Sequence, residues 1–220
     1  LLGAAAGQGK NILFEAQLGA LRDIDYGIYP FTSSSNTIAS YAPIGAGIPG
    51  CALDNVVGVM KAYSTCVGEG PFVAETAMGE AWNEKLRESG GEFGAATGRP
   101  RRVGPFDAVA SRYGIRCQKA QDIALTKLDV LGAFDKIPVI TGYRLHGVLL
   151  DSFPTDSRLE EAEPVIEELP GWGCDISGCR SWKDLPENAR KYVCTLEKLV
   201  DHPIYLVSTG AERDAYLLRE

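Results

Sequence analysis

Residues 123–129, IALTKLD, form an apolar run that ends in polar and charged side chains. Such a run predicts a buried β-strand over Ile123–Asp129 with its polar residues at the carboxyl end. The same pattern recurs at Ile204–Ser208 (IYLVS), which is predicted to be the last strand and is followed by Thr209 and Gly210. Strands that end in polar residues are typical of open α/β sheets, which bind ligands along that edge.

Predicted helices alternate with these strands, which strengthens the α/β assignment. The predicted helices are Ala52–Ala62, Thr76–Glu88, Phe106–Tyr113 and Pro186–Asp201. Gly90 and Gly91 are expected to end the second helix, and Pro105 is expected to lie in the first turn of the third.

Other segments are predicted from apolar runs and turn residues. Asn11–Glu15 (NILFE) predicts a short buried strand. Ile137–Leu145 and Val148–Phe153 predict a hairpin around the two-residue turn His146-Gly147. Residues 26–50 are rich in Gly, Ser and Pro and lack periodicity, which is typical of a segment that wraps a ligand.

Composition sets limits on the class of protein. The chain has 220 residues, 45% hydrophobic and 23% charged, which excludes a disordered or fibrous protein and suits one large domain. No apolar run reaches the roughly 18 residues of a membrane-spanning helix. A net charge of −7 disfavours a general role in nucleic-acid binding, because an acidic chain repels phosphate backbones.

Six cysteines are irregularly spaced, and the two histidines are His146 and His202. This pattern predicts neither a structural zinc site nor a disulfide framework. Free thiols in a reducing cytoplasm are the expected state.

Residues 7–10 (GQGK) have the appearance of a phosphate loop but depart from its pattern. A phosphate loop needs Gly five residues before its Gly-Lys pair and Ser or Thr after it. Ala4 and Asn11 occupy those positions, and the segment precedes a predicted strand instead of following one. A phosphate loop is therefore not predicted here.

Lys127 and Asp129 at the end of a predicted strand could recognise guanine. A carboxylate there can accept hydrogen bonds from N1–H and the exocyclic amine of guanine, whereas adenine lacks this donor pair. The mismatch would cost about 2–4 kcal/mol. The pattern resembles the Asn-Lys-x-Asp motif of GTPases, with Thr126 for Asn. A salt bridge at the strand end is the alternative interpretation.

Residues 94–102 (GAATGRPRR) predict a flexible loop with a basic cluster. Its backbone amides can meet a carboxylate or phosphate, and Arg99 and Arg101 can form bidentate pairs with an acidic substrate. The pattern suits a dicarboxylic amino acid or an anion that develops in a transition state. A solvated loop is the alternative. The hydroxyl-rich residues 32–36 (TSSSN) could hold a phosphomonoester, or form a simple Ser-rich turn.

Together these segments resemble adenylosuccinate synthetases, which join IMP to aspartate at the expense of GTP. The resemblance runs from about Asn11 to Arg219. Its pieces follow the family's order: DIDYGIYPFTSSSNT, VMKAYSTCVGEGPF, GEFGAATGRPRRVGPFDAVASRYG, ALTKLDVLG, LPGW, DLPENARKYV and VSTGAERD. Members are roughly twice as long, and this chain resembles their C-terminal half. Residues 1–220 are thus expected to be the C-terminal portion of a single enzyme domain, with Leu1 at a cut.

The resemblance implies a large, mostly parallel central sheet flanked by helices, related to P-loop NTPases but without its N-terminal half. It also implies a two-step ligation, in which the 6-oxygen of IMP attacks the γ-phosphate of GTP and the aspartate amine then displaces phosphate. The family's phosphate loop, catalytic Asp and catalytic His belong to the missing half. No catalytic residue is therefore assigned here, and Mg²⁺ ligands are expected in that half.

The partners implied are GTP, IMP, L-aspartate and a second subunit of a cytoplasmic homodimer, without nucleic acid or membrane. The alternative is a non-catalytic module of this family that binds purines or guanine nucleotides. A small GTPase is disfavoured because the phosphate loop is absent.

The resemblance assigns binding residues position by position. The expected GTP-binding residues are Arg101, Lys127, Leu128, Asp129, Ser208, Thr209 and Gly210. The expected aspartate-binding residues are Val67, Ala95, Ala96, Thr97, Gly98, Arg99, Pro100 and Arg101. The expected IMP-binding residues are Gln17, Ser33 and Arg99.

Three positions depart from the family pattern. Ala96 stands where many members have Thr, and a lost hydroxyl hydrogen bond would weaken aspartate binding by about 0.5–1.5 kcal/mol. Cys66 stands where many have Arg, and Gln17 lies one place earlier than the family's Gln.

Overall fold

A computed structural model describes residues 1–16 and 18–219, which form a mixed α/β fold with a parallel sheet flanked by helices. The helices are α1 (Leu2–Gly7), α2 (Ala42–Gly45), α3 (Val73–Thr76), α4 (Glu80–Gly90), α5 (Ala108–Gln118) and α6 (Glu187–Val200). The strands are β1 (Val57–Lys61), β2 (Ser64–Cys66), β3 (Arg102–Gly104), β4 (Phe106–Asp107), β5 (Asp122–Thr126), β6 (Lys136–Leu145), β7 (Val148–Leu149), β8 (Glu163–Pro170), β9 (Leu206–Ser208) and β10 (Tyr216–Leu218).

The main sheet has the strand order β1-β5-β9-β10. Strands β1, β5 and β9 are parallel, and β10 returns antiparallel to β9. Buried residues of β5, including Ile123 and Leu125, pack in one core with the apolar face of α6, which contributes Tyr192 and Leu196. Because β5 and β9 are adjacent and parallel, the polar residues at their carboxyl ends emerge at the same sheet edge, as the sequence predicts.

A second sheet is built around the ten-residue strand β6, which pairs in parallel with β4 and antiparallel with β7 and β8. The predicted hairpin around His146-Gly147 is confirmed, although its second strand ends at Leu149 and not at Phe153. Both turn residues have positive φ, 50° and 82°, as a type I′ turn requires. A smaller antiparallel pair, β2–β3, places Cys66 opposite Arg102.

The later helices agree with prediction in type and differ at their ends. Helix α6 fills the segment between Pro186 and Asp201, which are its two caps. Helix α4 ends at Gly91, which has a left-handed φ of 60°. Helix α5 begins after the predicted Phe106, because Phe106 lies in β4 and Asp107 caps the helix by accepting hydrogen bonds from two backbone amides.

Three predictions were wrong. The predicted helix Ala52–Ala62 contains strand β1, which has a long-range parallel partner in β5. The predicted strand Asn11–Glu15 is irregular, and its Leu13 is 96% exposed. Strand β9, within Ile204–Ser208, is not the last strand, because β10 follows and pairs with it.

In the part of the chain that the structure describes, every helix is too short or too polar to cross a bilayer.

Candidate functional site

The carboxyl ends of β5 and β9 form the first part of the candidate site. Residues 127–129 follow β5, and residues 208–210 end and follow β9. Leu125 is paired with Val207 in the parallel register, so the two segments leave the sheet side by side. The structure therefore brings together two groups of predicted GTP-binding residues that lie about 80 positions apart in the sequence.

The turn after β5 is fixed by burial and by one hydrogen bond. Lys127 has a positive φ of 63° and donates from Nζ to the carbonyl oxygen of Gly90 at 2.8 Å. Leu128 is fully buried, and Asp129 starts a 3₁₀ turn that ends at Ala133. Among the described residues, neither Lys127 nor Asp129 forms an ion pair, so the strand-end salt bridge is not observed.

The segment after β9 is held by its own polar groups. Ser208 Oγ donates to the carbonyl of Gly210 at 3.0 Å. Thr209 is fully buried, and its amide donates to Ala215 O at 2.8 Å while its hydroxyl donates to Cys179 O at 3.2 Å. Hydrogen bonds within the protein therefore fix the conformation of residues 208–210.

The predicted aspartate loop closes as a short hairpin. Phe93 and Pro100 form an isolated antiparallel bridge, and the Gly94 amide donates to Arg99 O at 2.8 Å. Gly98 has a positive φ of 63°, and its amide donates to Gly94 O at 2.8 Å. The exposed residues of the loop are Ala95, Ala96, Thr97, Gly98, Arg99 and Pro100. No described residue forms an ion pair with Arg99, so its guanidinium is available to an anion in solution.

Arg101, by contrast, is paired with a buried carboxylate. Glu92 is 1% exposed, and its Oε2 accepts from Arg101 Nη1 at 2.8 Å. Its Oε1 accepts from Lys61 Nζ at 2.8 Å and from the Tyr63 hydroxyl at 2.6 Å. Burial alone would raise the pKa of Glu92, but the hydrogen bonds from Lys61 and Tyr63 hold it below its ordinary value. Burial and the neighbouring Glu92 raise the pKa of Tyr63.

Residues 90–92 connect the predicted guanine-binding residues after β5 to the predicted aspartate loop. Gly90 accepts from Lys127, and a Cβ at Gly90 would collide with the Tyr63 hydroxyl. Two positions later, the Glu92 backbone carbonyl accepts from the Arg101 amide at 2.9 Å. Sequence reasoning missed Glu92. Its only signal is an acidic residue just before the Gly-rich loop, and nothing in that pattern indicates burial.

The remaining predicted residues lie on neighbouring segments. Val67 follows β2 and is 73% exposed. Ser33 lies in a turn where its hydroxyl contacts the backbone of Ser35 and its amide donates to Arg22 O at 2.8 Å. The side chain of Arg22 in turn donates to Val67 O, so these two predicted substrate segments are joined through one residue. Gln17 lies outside the described residues.

A large open cleft of about 1240 Å³ adjoins β1. Its lining includes Lys61 and Tyr63, so it reaches the cluster around Glu92, but Lys127, Asp129 and Arg99 are not part of it. We place the candidate site at the converging polar segments, because none of the predicted binding residues that the structure describes lines the cleft.

A protein site for a divalent cation needs several ligands that converge on one point. Within the described residues, no group of three or more His, Cys, Asp or Glu side chains is placed to hold a metal ion.

Comparison with protein-family models and curated sequences finds similarity over nearly the whole chain. A family model described as adenylosuccinate synthetase matches residues 1–217. The adenylosuccinate synthetases of Trichlorobacter lovleyi and Pelobacter propionicus are 50% and 49% identical to this chain, over 99% and 96% of its length. These matches cover 50% and 49% of the two relatives, so the chain spans about half the length of the curated relatives it matches.

Solved structures agree. A fully ligated adenylosuccinate synthetase from Plasmodium falciparum matches all of this chain and 52% of its own, with a TM-score of 0.93 and 36% identity. A succinoaminodeoxyadenylate synthetase of cyanophage S-2L, bound to dGMP and to dATP as an energy donor, matches 99% of this chain and 49% of its own. Its TM-score of 0.59 and identity of 14% indicate a shared fold alone.

Proposed function

The chain belongs to the adenylosuccinate synthetase family, and we propose that it carries about half of an enzyme that ligates IMP and L-aspartate with GTP as the energy source. Residues 1–220 would form the C-terminal portion of one enzyme domain. The complete enzyme would be a cytoplasmic homodimer. The observation that carries this proposal is the convergence of residues 127–129 and 208–210 at one sheet edge, joined through residues 90–92 to the arginine loop.

The sheet edge would bind the guanine base of GTP. Asp129 would accept from N1–H and the exocyclic amine, and the stem of Lys127 would cover the base plane. The buried side chain of Leu128 anchors this turn, and residues 208–210 would close over the base from the neighbouring strand. Arg101 would lie near the nucleotide phosphates, where its charge is favourable.

The arginine loop would bind aspartate. Exposed Arg99 would form a bidentate pair with a substrate carboxylate, supported by the amides of residues 95–100 and by Val67. Arg99 would also reach IMP, together with Ser33 and Gln17. Catalysis in this half would consist mainly of positioning the three ligands.

In the proposed reaction the 6-oxygen of IMP displaces GDP from the γ-phosphoryl group of GTP. The aspartate amine then displaces phosphate to form adenylosuccinate. The Mg²⁺ ligands, like the catalytic Asp, the catalytic His and the phosphate loop, would lie outside this chain, in the part of the family's sequence that it does not match. One alternative stays open because the chain spans half of its relatives, namely a non-catalytic purine-binding module.

The test is an Asp129→Asn substitution in the complete polypeptide. We expect KM for GTP to rise by about 10-fold or more and the preference for GTP over ITP, which lacks the exocyclic amine, to fall. Steady-state adenylosuccinate formation with each nucleotide measures both. An unchanged preference would exclude Asp129 as the base-reading residue. Guanine-nucleotide binding without any ligation by the unsubstituted polypeptide would favour the binding module.

A further inference from the structure

Arg22, which precedes the buried Asp23, reaches across to the segment after β2. Its Nη2 donates to Cys66 Sγ at 2.8 Å and to Val67 O at 3.0 Å, and its Nη1 donates to Glu69 O at 3.0 Å. Nη1 also contacts Phe31 O. One guanidinium thus holds two carbonyls that are two residues apart in the same segment.

Arg102 of β3 holds the two alternate carbonyls. Its Nη1 donates to Gly68 O at 3.1 Å and to Gly70 O at 2.8 Å. Its own position is fixed by Glu75, whose carboxylate lies 2.6 Å from Nη2 and 2.8 Å from Nε, and by the Phe72 ring at 5.4 Å.

Four consecutive carbonyls, those of residues 67–70, therefore accept hydrogen bonds alternately from two arginines. The φ angles of Gly68 and Gly70 are positive, 87° and 104°, whereas that of Glu69 between them is not. Alternating handedness of this kind gathers successive amide groups into an anion-binding concavity. No amide of residues 67–70 donates a hydrogen bond to another described residue. Cations on the carbonyls also polarise the peptide groups, which makes the amides stronger donors.

We propose that Arg22 and Arg102 are positioning residues, which fix the amides of residues 67–70 to receive a carboxylate of the aspartate substrate. This inference rests on the proposed function, because it takes the substrate to be a dicarboxylic amino acid. A guanidinium presents its donors in a rigid fork that can hold two carbonyls at once. The single ammonium of lysine keeps the charge but loses that geometry.

The experiment compares Arg22→Lys and Arg102→Lys with a matched control, Arg144→Lys, in the complete polypeptide. Arg144 likewise donates to a loop carbonyl, that of Gly147 at 3.2 Å, but in the β6–β7 turn. We expect each test variant to raise KM for L-aspartate by about 10-fold or more, while KM for GTP and kcat change by less than about 3-fold. Amide hydrogen exchange at residues 67–70 should become faster in both test variants and stay unchanged in the control.

Two results would overturn the inference. One is unchanged exchange and unchanged KM for aspartate in both test variants. The other is an equal rise in KM for aspartate and GTP, which would indicate a general loss of structure. Failure of the proposed function can be told apart from failure of this inference, because in the first case Asp129→Asn would leave the preference for GTP over ITP unchanged. If the unsubstituted polypeptide forms no adenylosuccinate, the substrate role of these arginines falls even where exchange responds.

Discussion

Three arginines within four positions have three different environments. Arg99 is exposed in the loop, Arg101 is paired with the buried Glu92, and Arg102 is paired with Glu75. The sequence shows only one basic cluster, because the acidic partners lie 9 and 27 residues away from the arginines that they bind. Only the tertiary structure therefore separates the exposed arginine from the two that form ion pairs within the protein.

Replacing Arg99 tests the first of these environments. We expect Arg99→Leu to raise KM for L-aspartate by about 100-fold, because a bidentate charged pair is lost, with a much smaller effect on KM for GTP. Initial rates of the complete polypeptide with each substrate varied in turn give both constants. Arg116→Leu removes an exposed arginine from α5 and serves as control. Equal effects on both substrates would contradict the assignment of this loop to aspartate.

Replacing Glu92 tests the buried carboxylate. Its lowered pKa means that its contribution to stability is present above the unfolded value of 4.5 and is lost as pH falls through the folded value. We therefore expect Glu92→Gln to lower the free energy of unfolding by about 1–3 kcal/mol at pH 7, and by less at pH 3.5. Urea unfolding of the 220-residue chain at both pH values measures this, with the exposed Glu84→Gln as control. A difference that is independent of pH would argue against an ionised Glu92.

At the scale of elements, helix α5 depends on the buried cap Asp107. Its Oδ1 accepts from the Val109 and Ala110 amides at 3.0 Å each, and Oδ2 accepts from the Tyr143 hydroxyl. Burial raises the pKa of Asp107 to about 6. The folded state therefore retains a proton that the unfolded chain has lost, so the contribution of this group is full below pH 3.8 and is lost as pH rises through about 6.

Asp107→Asn should remove that pH dependence, because asparagine still caps a helix but does not titrate. We expect the stability of Asp107→Asn relative to the unsubstituted chain to increase between pH 4 and pH 7. Denaturant unfolding across this range measures the difference. Asp156→Asn is the control, since Asp156 also caps a turn but is exposed and has a lowered pKa. Identical pH profiles for Asp107→Asn and the unsubstituted chain would contradict a raised pKa.

Elements with local signals could be predicted from the sequence, whereas those that depend on distant partners could not. Helix α6 has a clear apolar face, and the His146-Gly147 turn imposes its own backbone geometry on the hairpin. Strand β1 was mistaken for a helix because Val56, Val59 and Met60 recur at the i, i+3 and i+4 spacing of a helix face, and its partner β5 lies 65 residues further along the chain. Strand β8 was not predicted, since its three glutamates and two prolines have little strand propensity and β6 supplies the pairing.

The residues of the candidate site likewise fall into those with a local sequence signal and those that depend on distant partners. The sequence pattern indicated Lys127, Asp129 and the arginine loop, because each carries its own chemistry. It could not indicate Glu92 or Arg22, because an ordinary glutamate and an ordinary arginine become important only through the residues that fold against them.

At the scale of the whole molecule, the chain spans about half the length of its curated relatives. We expect the purified 220-residue chain to form no adenylosuccinate from IMP, aspartate and GTP, because we propose that the groups that carry out the chemistry lie outside it. The complete polypeptide at the same concentration is the positive control. Product formation by the chain alone would show that these groups are supplied from within residues 1–220.

The cluster around Glu92 has a consequence for the working enzyme. Its carboxylate accepts hydrogen bonds from Lys61 and Tyr63 as well as from Arg101. Lys61 and Arg101 lie 40 residues apart in the sequence, so the two cations belong to different segments of the fold. Were Arg101 to swing away towards a nucleotide phosphate, the other two donors would still satisfy the carboxylate. A buried charge strongly destabilises a protein when it has no partner, and Glu92 would keep Lys61 and Tyr63 as partners. Release of Arg101 from Glu92 and its return would therefore leave the buried carboxylate hydrogen-bonded throughout.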